Sequence, residues 1–395
     1  MWQLANVLFL WSCTVVVLYS YLFTNIIADI FSTFRELFFF FSYSLNFEGS
    51  LYAVYFIICR TLDTNLMCCH LEFKQDAGCD FAYNDNFANC DSMFSWHSAP
   101  RKSIWVIGIL SLLGAVFVLV WRCFFKSRNV VQAIMLIHLA LADGLMGVYL
   151  ITIAIKDLLW TGVYYLHDYE WRTGLSCQIT GAVAILSGEV SVMLLALIST
   201  DRLIKIVFPF YCRGLTRKIT HVLCLVIWLI GAIIAFLPML GIRYFSDPET
   251  GLTYYGRSVV CIPLQLSTDL PAGWEYSVAV FVALNLAFLV LIVVAYLVIF
   301  INRKQVKARS ANTTRESSLD KRVLFIILTN CACWLPIIVV GIKSVVDTSI
   351  NLPGNLSVWM AVFVLPVNAA INPVLYTLTT PQVRPVYAYK IITQI

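Results

Sequence analysis

Residues 178–240 read QITGAVAILSGEVSVMLLALISTDRLIKIVFPFYCRGLTRKITHVLCLVIWLIGAIIAFLPML. Two apolar runs, 178–200 and 219–240, flank a loop that carries Arg202, Lys205, Arg213, Arg217 and Lys218 against one acid, Asp201. Each run, coiled as a helix at about 1.5 Å per residue, reaches across the roughly 30 Å of a bilayer's hydrocarbon. Lys and Arg accumulate on the cytosolic side because carrying them across is unfavourable, so this loop is placed inside. The same reading extends in both directions. Further apolar stretches lie near 104–124, 132–155, 274–301, 323–346 and 356–379, which makes seven. The loop after the first holds Arg122, Lys126 and Arg128 with no acid. The loop after the fifth holds Arg303, Lys304, Lys307, Arg309, Arg315, Lys321 and Arg322 against Glu316 and Asp320. The loops between are near neutral or acidic. This alternation puts the amino-terminal side of the bundle outside and the short carboxyl tail inside.

Composition agrees. Charged residues are 12% of the chain and apolar ones 60%, a balance no water-soluble core of 395 residues accommodates comfortably. Inside lipid every backbone group must be satisfied by the protein itself, and at these lengths helices are the structures that do so. The expectation is an all-α membrane protein, a bundle of seven transmembrane helices. The net charge of +5 is no nucleic-acid signal, because the bases map onto the cytosolic rims. A retinal-driven pump needs a lysine in the seventh stretch, and 356–379 contain none. A transporter should show an internal repeat with broken helices, and none is visible. Catalysis would want paired His, Asp or Ser chemistry; His138 and His221 read as isolated structural residues. No enzyme is expected.

Of 13 cysteines, Cys123, Cys212, Cys224, Cys331 and Cys333 fall in apolar stretches or inner loops, where they stay reduced or buried. Cys177 and Cys261 both fall outside. A bridge between them would tie a long loop to a helix end, stabilising by about 2–4 kcal/mol. Cys68, Cys69, Cys79 and Cys90 cluster before the first span, and their pairing is left open. Residues 1–59 form an apolar segment that is a poor signal peptide, with no basic start and no clear cleavage site. It reads as an extra membrane segment or a mis-predicted exon. Residues 60–103 are acidic and cysteine-containing, an extracellular juxtamembrane region. Residues 104–380 form the seven-helix domain, and 381–395 a short cytosolic tail. Asn355-Leu-Ser357 is a glycosylation sequon in the last outer loop; Asn312-Thr-Thr314 is one on the inner side, where it stays bare.

Polar groups in hydrocarbon are costly, about 2.5–3.5 kcal/mol for an ionised side chain at mid-membrane on insertion scales, and so they inform. Asp143 stands in the second span, Glu189 and Ser191 in the third, Asn330 and Trp334 in the sixth, Asn368 and Asn372 in the seventh. Such groups can enclose a hydrated cation, with Na+ the candidate at Asp143 and Ser191, or serve as helix–helix hydrogen bonds. Glu189 has no evident basic partner, and is either protonated or faces a water-filled cavity. Pro238, Pro336 and Pro373 each remove an intrahelical hydrogen bond and mark kinks. At the inner end of the third span, Arg202, beside Asp201, is placed to pair with Glu316 at the inner end of the sixth. Such an inter-helix latch must break if the sixth span swings outward.

Taken together these motifs resemble the rhodopsin-like G-protein-coupled receptors across residues 101–380. They are Leu139–Asp143, Cys177 with Cys261, Asp201-Arg202, Trp228, Cys333-Trp-Leu-Pro336 and Asn372-Pro-Val-Leu-Tyr376. Within that family the chain looks most like the leucine-rich-repeat receptors of the relaxin-receptor type, through Ala184–Ser191, Tyr254-Tyr-Gly256 leading to Cys261–Leu264, and Asn372–Thr380. The resemblance implies a plasma-membrane receptor for a relaxin/insulin-like peptide hormone that signals to heterotrimeric G proteins. A truncated, non-signalling product of such a gene is the alternative. It implies no cofactor beyond an allosteric Na+, an activation core of Asp143, Ser191, Asn330, Trp334, Asn368 and Asn372, and a coupling surface of Asp201, Arg202, Glu316, Tyr296 and Tyr376. The chain departs from the pattern at Gly114-Ala115, where the family usually has Gly-Asn and Asp143 loses a partner. It departs again in the tail, where Pro385 interrupts an expected helix, and before residue 101, where no leucine-rich repeat occurs.

Overall fold

The computed structural model describes residues 92–94, 98–124, 129–208, 214–247, 251–264, 271–309, 317–346 and 359–378. The apolar segment 1–59, the Cys68–Cys90 cluster and the tail lie outside the described residues. Span one is Ser98–Phe124, span two Val130–Leu159 and span three Leu175–Val207. Span four is Arg217–Phe236. Span five comprises Trp274–Val278, a π-helical turn Ala279–Leu284, and Asn285–Arg309. Span six is Ser317–Val346. Span seven is a π-helical turn Met360–Val364 followed by Leu365–Leu378. Six of these are long and apolar enough to cross a membrane, and Met360–Pro373 is a shorter apolar helix. Among the described residues the only strand-like pairing is the isolated bridge Ser246–Thr253.

Local chemistry sets the ends. Span two begins at Asn129, whose side chain accepts from the Gln132 amide at 3.3 Å, and span four at Thr216, which accepts from the Ile219 amide at 3.4 Å. Both are ordinary N-caps that satisfy an orphan amide. The 33 residues of span three reach about 50 Å, so the helix overshoots the hydrocarbon on both sides. It is also the central helix: 72% of its apolar window is buried, against 22% for span four. Span four exposes Ile219, Val222, Leu229, Ile233 and Phe236, a stripe at helical spacing of the kind a lipid-facing helix presents. Spans one and two pack closely because the facing residues are small. A Cβ on Gly147 would come 2.7 Å from Leu112 Cγ, and one on Gly144 would come 3.1 Å from the Ala115 Cβ.

The prolines divide. Pro336 and Pro373 lie inside their helices, as kinks require. Pro238 does not: the α-helix ends at Phe236, and Pro238 sits in a 3-10 turn, Leu237–Met239. It terminates span four rather than bending it, because a ring without an amide hydrogen is tolerated at the start of a new turn. Span five, which has no proline, is widened instead by its π turn. There the Asn285 side chain donates to the Val280 carbonyl at 2.9 Å, five residues back, and so satisfies a group inside the widened turn.

Candidate functional site

The site has three levels, named outer, middle and inner after the sides that the loop charges assign. At the outer face, the loop between spans four and five folds inward over the bundle, with Tyr254, Tyr255, Val259, Val260, Cys261 and Ile262 buried. Cys177, at the start of span three, is disulfide-bonded to Cys261, with their Cα atoms 5.5 Å apart. Cys261 adopts φ +58°, a left-handed backbone that costs a residue with a Cβ about 1–2 kcal/mol. The surrounding bonds hold it there. Tyr149 of span two donates to the Val260 carbonyl at 2.8 Å, and Trp171 Nε1 donates to the Val259 carbonyl at 2.9 Å. Arg172 donates from Nε to the Gly256 carbonyl at 2.7 Å and from Nη2 to the Arg257 carbonyl at 3.0 Å. The Tyr255 hydroxyl donates to the Ala235 carbonyl of span four, and Ser277 of span five donates to the Tyr254 hydroxyl at 3.0 Å. Burial pushes the Tyr254 and Tyr255 hydroxyls well above their ordinary range, so both remain protonated. Two glycines make the fit possible. A Cβ on Gly181 would collide with the Cys261 carbonyl and the Tyr255 ring, and one on Gly256 with the Arg172 carbonyl.

Trp171 and Arg172 belong to a short helix, Asp168–Thr173, in the loop between spans two and three. Asp168 receives the Tyr164 hydroxyl at 2.5 Å and lies 3.7 Å from Arg172. The Lys156 ammonium sits over Trp160 and Trp171, 4.7 and 5.4 Å from the ring centroids. Arg101 of span one pairs with the buried Asp157 at 2.7 Å. Sequence reading singled out none of Tyr149, Asp157, Trp171 and Arg172. Asp157, Trp171 and Arg172 lie in or beside a loop between apolar runs, a position every rim residue shares, and Tyr149 lies inside the run 132–155, where a tyrosine does not stand out.

In the middle level, Asp143 is fully buried. Its Oδ1 accepts from Ser191 at 3.0 Å and from Asn372 Nδ2 at 3.3 Å. Three predicted residues from three spans therefore meet. Asn368 donates to Asn330 Oδ1 at 3.3 Å, which joins spans seven and six. Asp143 Oδ2, Asn368 Oδ1 and Asn372 Oδ1 are buried and find no hydrogen-bond donor among the described residues. Ala115 supplies no polar group to Asp143; its small side chain lets spans one and two close instead. Trp334 is buried and shares a small void with Gly188, Glu189, Phe281 and Leu365. The partner Glu189 finds is a neutral amide and not a base: Asn285 donates to its Oε1 at 2.9 Å, while Oε2 has no hydrogen-bond donor among the described residues.

At the inner level, Asp201 is buried, and its charge partner is Lys205, one turn on, at 2.7 Å. Arg202 is half-buried, and the hydroxyl of Tyr296 in span five lies beside Ser199 and Arg202. Asn302 of span five donates to the Ile206 carbonyl of span three at 3.4 Å. Glu316 lies outside the described residues. Tyr376 falls on the last helical turns of span seven, and its side chain lies outside them too.

A lipid-facing helical bundle with an outer disulfide, a carboxylate–amide network at mid-depth and an arginine at the inner end of its central helix is the architecture of a membrane receptor. The chain belongs to the rhodopsin family of 7 transmembrane receptors, which it matches over residues 114–376. It is 39% identical over 298 residues to the G-protein coupled receptor GRL101 of Lymnaea stagnalis, covering 75% of this chain and 26% of that protein. It is 36% identical over 326 residues to relaxin receptor 1 of Homo sapiens, covering 79% of this chain and 42% of the relative. The thyrotropin receptor of Ovis aries is more distant, at 28% over 301 residues, covering 75% of this chain and 37% of that receptor. The chain thus spans less than half the length of these relatives.

Proposed function

We propose that this multi-pass membrane receptor lies in the plasma membrane with the amino-terminal side of its bundle outside, and relays a relaxin/insulin-like peptide signal to heterotrimeric G proteins. The observation that carries the reading is the inward-folded outer loop. It is bonded to spans two, three, four and five at once, so a force on the outer loops reaches the helices without a ligand entering the bundle. The similarity to relaxin receptor 1 supports the class of hormone. A peptide, or a leucine-rich ectodomain acting as a tethered agonist, presses on this lid.

Within the bundle, the Asp143–Ser191–Asn372 network joins three spans, and Asn368–Asn330 joins the sixth to the seventh. Repacking of this network around Trp334 rotates span six about Pro336. The Arg202–Glu316 latch then opens, and Arg202, Tyr296 and Tyr376 line a cytosolic cleft for a G-protein α-subunit. The unpaired oxygens around Asp143 are hard donors, suited to a sodium ion. A bound cation also supplies the counter-charge that a buried carboxylate needs.

The test is an agonist-independent assay of second-messenger output in cells where surface expression of the chain is measured in parallel. Output above that of mock-transfected cells is expected, with a further rise for Glu316→Ala and loss for Arg202→Ala. A chain that reaches the surface yet leaves output unchanged in all three forms sinks the reading, and favours a non-signalling product.

A further inference from the structure

His138 and His221 lie on different helices and read as unrelated in the sequence, but the fold brings them together. Their ring centroids are 6.4 Å apart, with the planes at 77°. Trp228 of span four donates its indole N–H to His138 Nδ1 at 3.1 Å. His138 is half-buried and His221 exposed. His138 stands about 12 Å and His221 about 6 Å along their helices from the cytosolic ends of spans two and four, a depth that protons from the inner face can reach.

The chemistry of the bond is restrictive. An indole nitrogen only donates, and an imidazole nitrogen accepts only while it carries no proton. In the bonded state His138 is therefore neutral, with its proton on Nε2. Imidazolium has no acceptor. A proton on His138 and the Trp228 bond exclude one another, and with the ring centroids 6.4 Å apart a charge on one imidazole opposes a charge on the other. The remaining groups that face the pair do not compensate. On span four these are the Cys224 thiol, buried between His221 and Trp228 at helical spacing, and Arg217 and Lys218, exposed at the inner end. Span three meets both helices with apolar residues, Val190, Met193, Leu194 and Leu197. Its acids are engaged elsewhere, Glu189 with Asn285 and Asp201 with Lys205. On span two itself the next acid, Asp143, is held by Ser191 and Asn372.

We propose that His138, His221 and Trp228 form a proton-labile clasp between spans two and four that opens when the cytosolic face is acidified. The sign follows from proton counting. The clasped state holds fewer protons than the open one, so its stability rises with pH through the imidazole range, around 6.5, and falls on acidification. This concerns the bundle itself and does not depend on the hormone or on coupling.

Thermal unfolding of the whole chain, purified into lipid nanodiscs and measured from pH 5.5 to 8, tests it. Loss of one hydrogen bond corresponds to a shift of roughly 2–4 °C in a bundle of this size. The wild-type Tm should fall by that much more toward pH 5.5 than the Tm of His138→Asn, whose amide oxygen still accepts from Trp228 but does not titrate. His221→Gln removes the opposing charge and should reduce the acid sensitivity. Trp228→Phe removes the donor, and its Tm should lie lower at pH 8 and converge on the wild-type value at pH 5.5. Equal pH slopes for wild type and His138→Asn overturn the proposal. Should His138→Asn fail to fold, a Trp228→Phe deficit that stays constant with pH overturns it equally.

Discussion

Arg172 and Arg101 show how position decides the worth of a charge. Arg172 is buried and makes two bonds to loop carbonyls while neutralising Asp168. Replacing it with Ala leaves Asp168 with the Tyr164 hydroxyl but no counter-charge and frees two buried loop carbonyls, a loss of about 2–4 kcal/mol. The expected outcome is a receptor largely retained inside the cell, read by surface labelling. Arg101 is 39% exposed, and its removal opens Asp157 to water. Arg101→Ala should cost about 0.2–1 kcal/mol, with near-normal surface levels. Asp143 presents a separate test, because its spare oxygen is where a sodium ion would sit. If the proposed ion site holds, sodium chloride raises the wild-type Tm over choline chloride, and Asp143→Asn should abolish that rise. A sodium effect that survives the substitution counts against the ion site.

Among elements, the loop between spans four and five matters most. Its disulfide closes a separation of 84 residues, for which the chain-entropy relation gives about 4.6 kcal/mol. That is an upper bound here, since spans three and four stay inserted when the fold loosens and the loop is less free than a random coil. Cys177→Ser should therefore lower the Tm by several degrees, measured by thermal unfolding in detergent. Tyr149, Trp171, Arg172 and Tyr255 still pin the loop. The π turn of span five belongs to this scale too. It aligns Asn285 with Glu189, a contact that a straight helix over the same residues would place differently.

At the scale of the molecule, topology is the proposition most open to direct attack. A cysteine introduced as Ser310→Cys should add no labelling by a membrane-impermeant maleimide on intact cells beyond that of the unaltered chain, and should add it once the membrane is opened. Added labelling on intact cells would reverse the assigned orientation, and with it the coupling face.

Periodicity and charge were enough to read off the seven spans, because hydrocarbon imposes length and apolarity residue by residue and the loops carry their charge bias locally. Asp143, Ser191 and Asn372 were legible as candidates for a related reason, since a polar group in lipid stands out whatever its partner, and the fold brings the three together. Partnership was another matter. That Glu189 finds Asn285, and that His138, His221 and Trp228 meet across spans two and four, both depend on how the helices turn about their axes, whereas the Asp201–Lys205 pair, four residues apart on one helix, is a local contact. That rotation is fixed by packing among small and large side chains distant in the chain, and no local pattern encodes it.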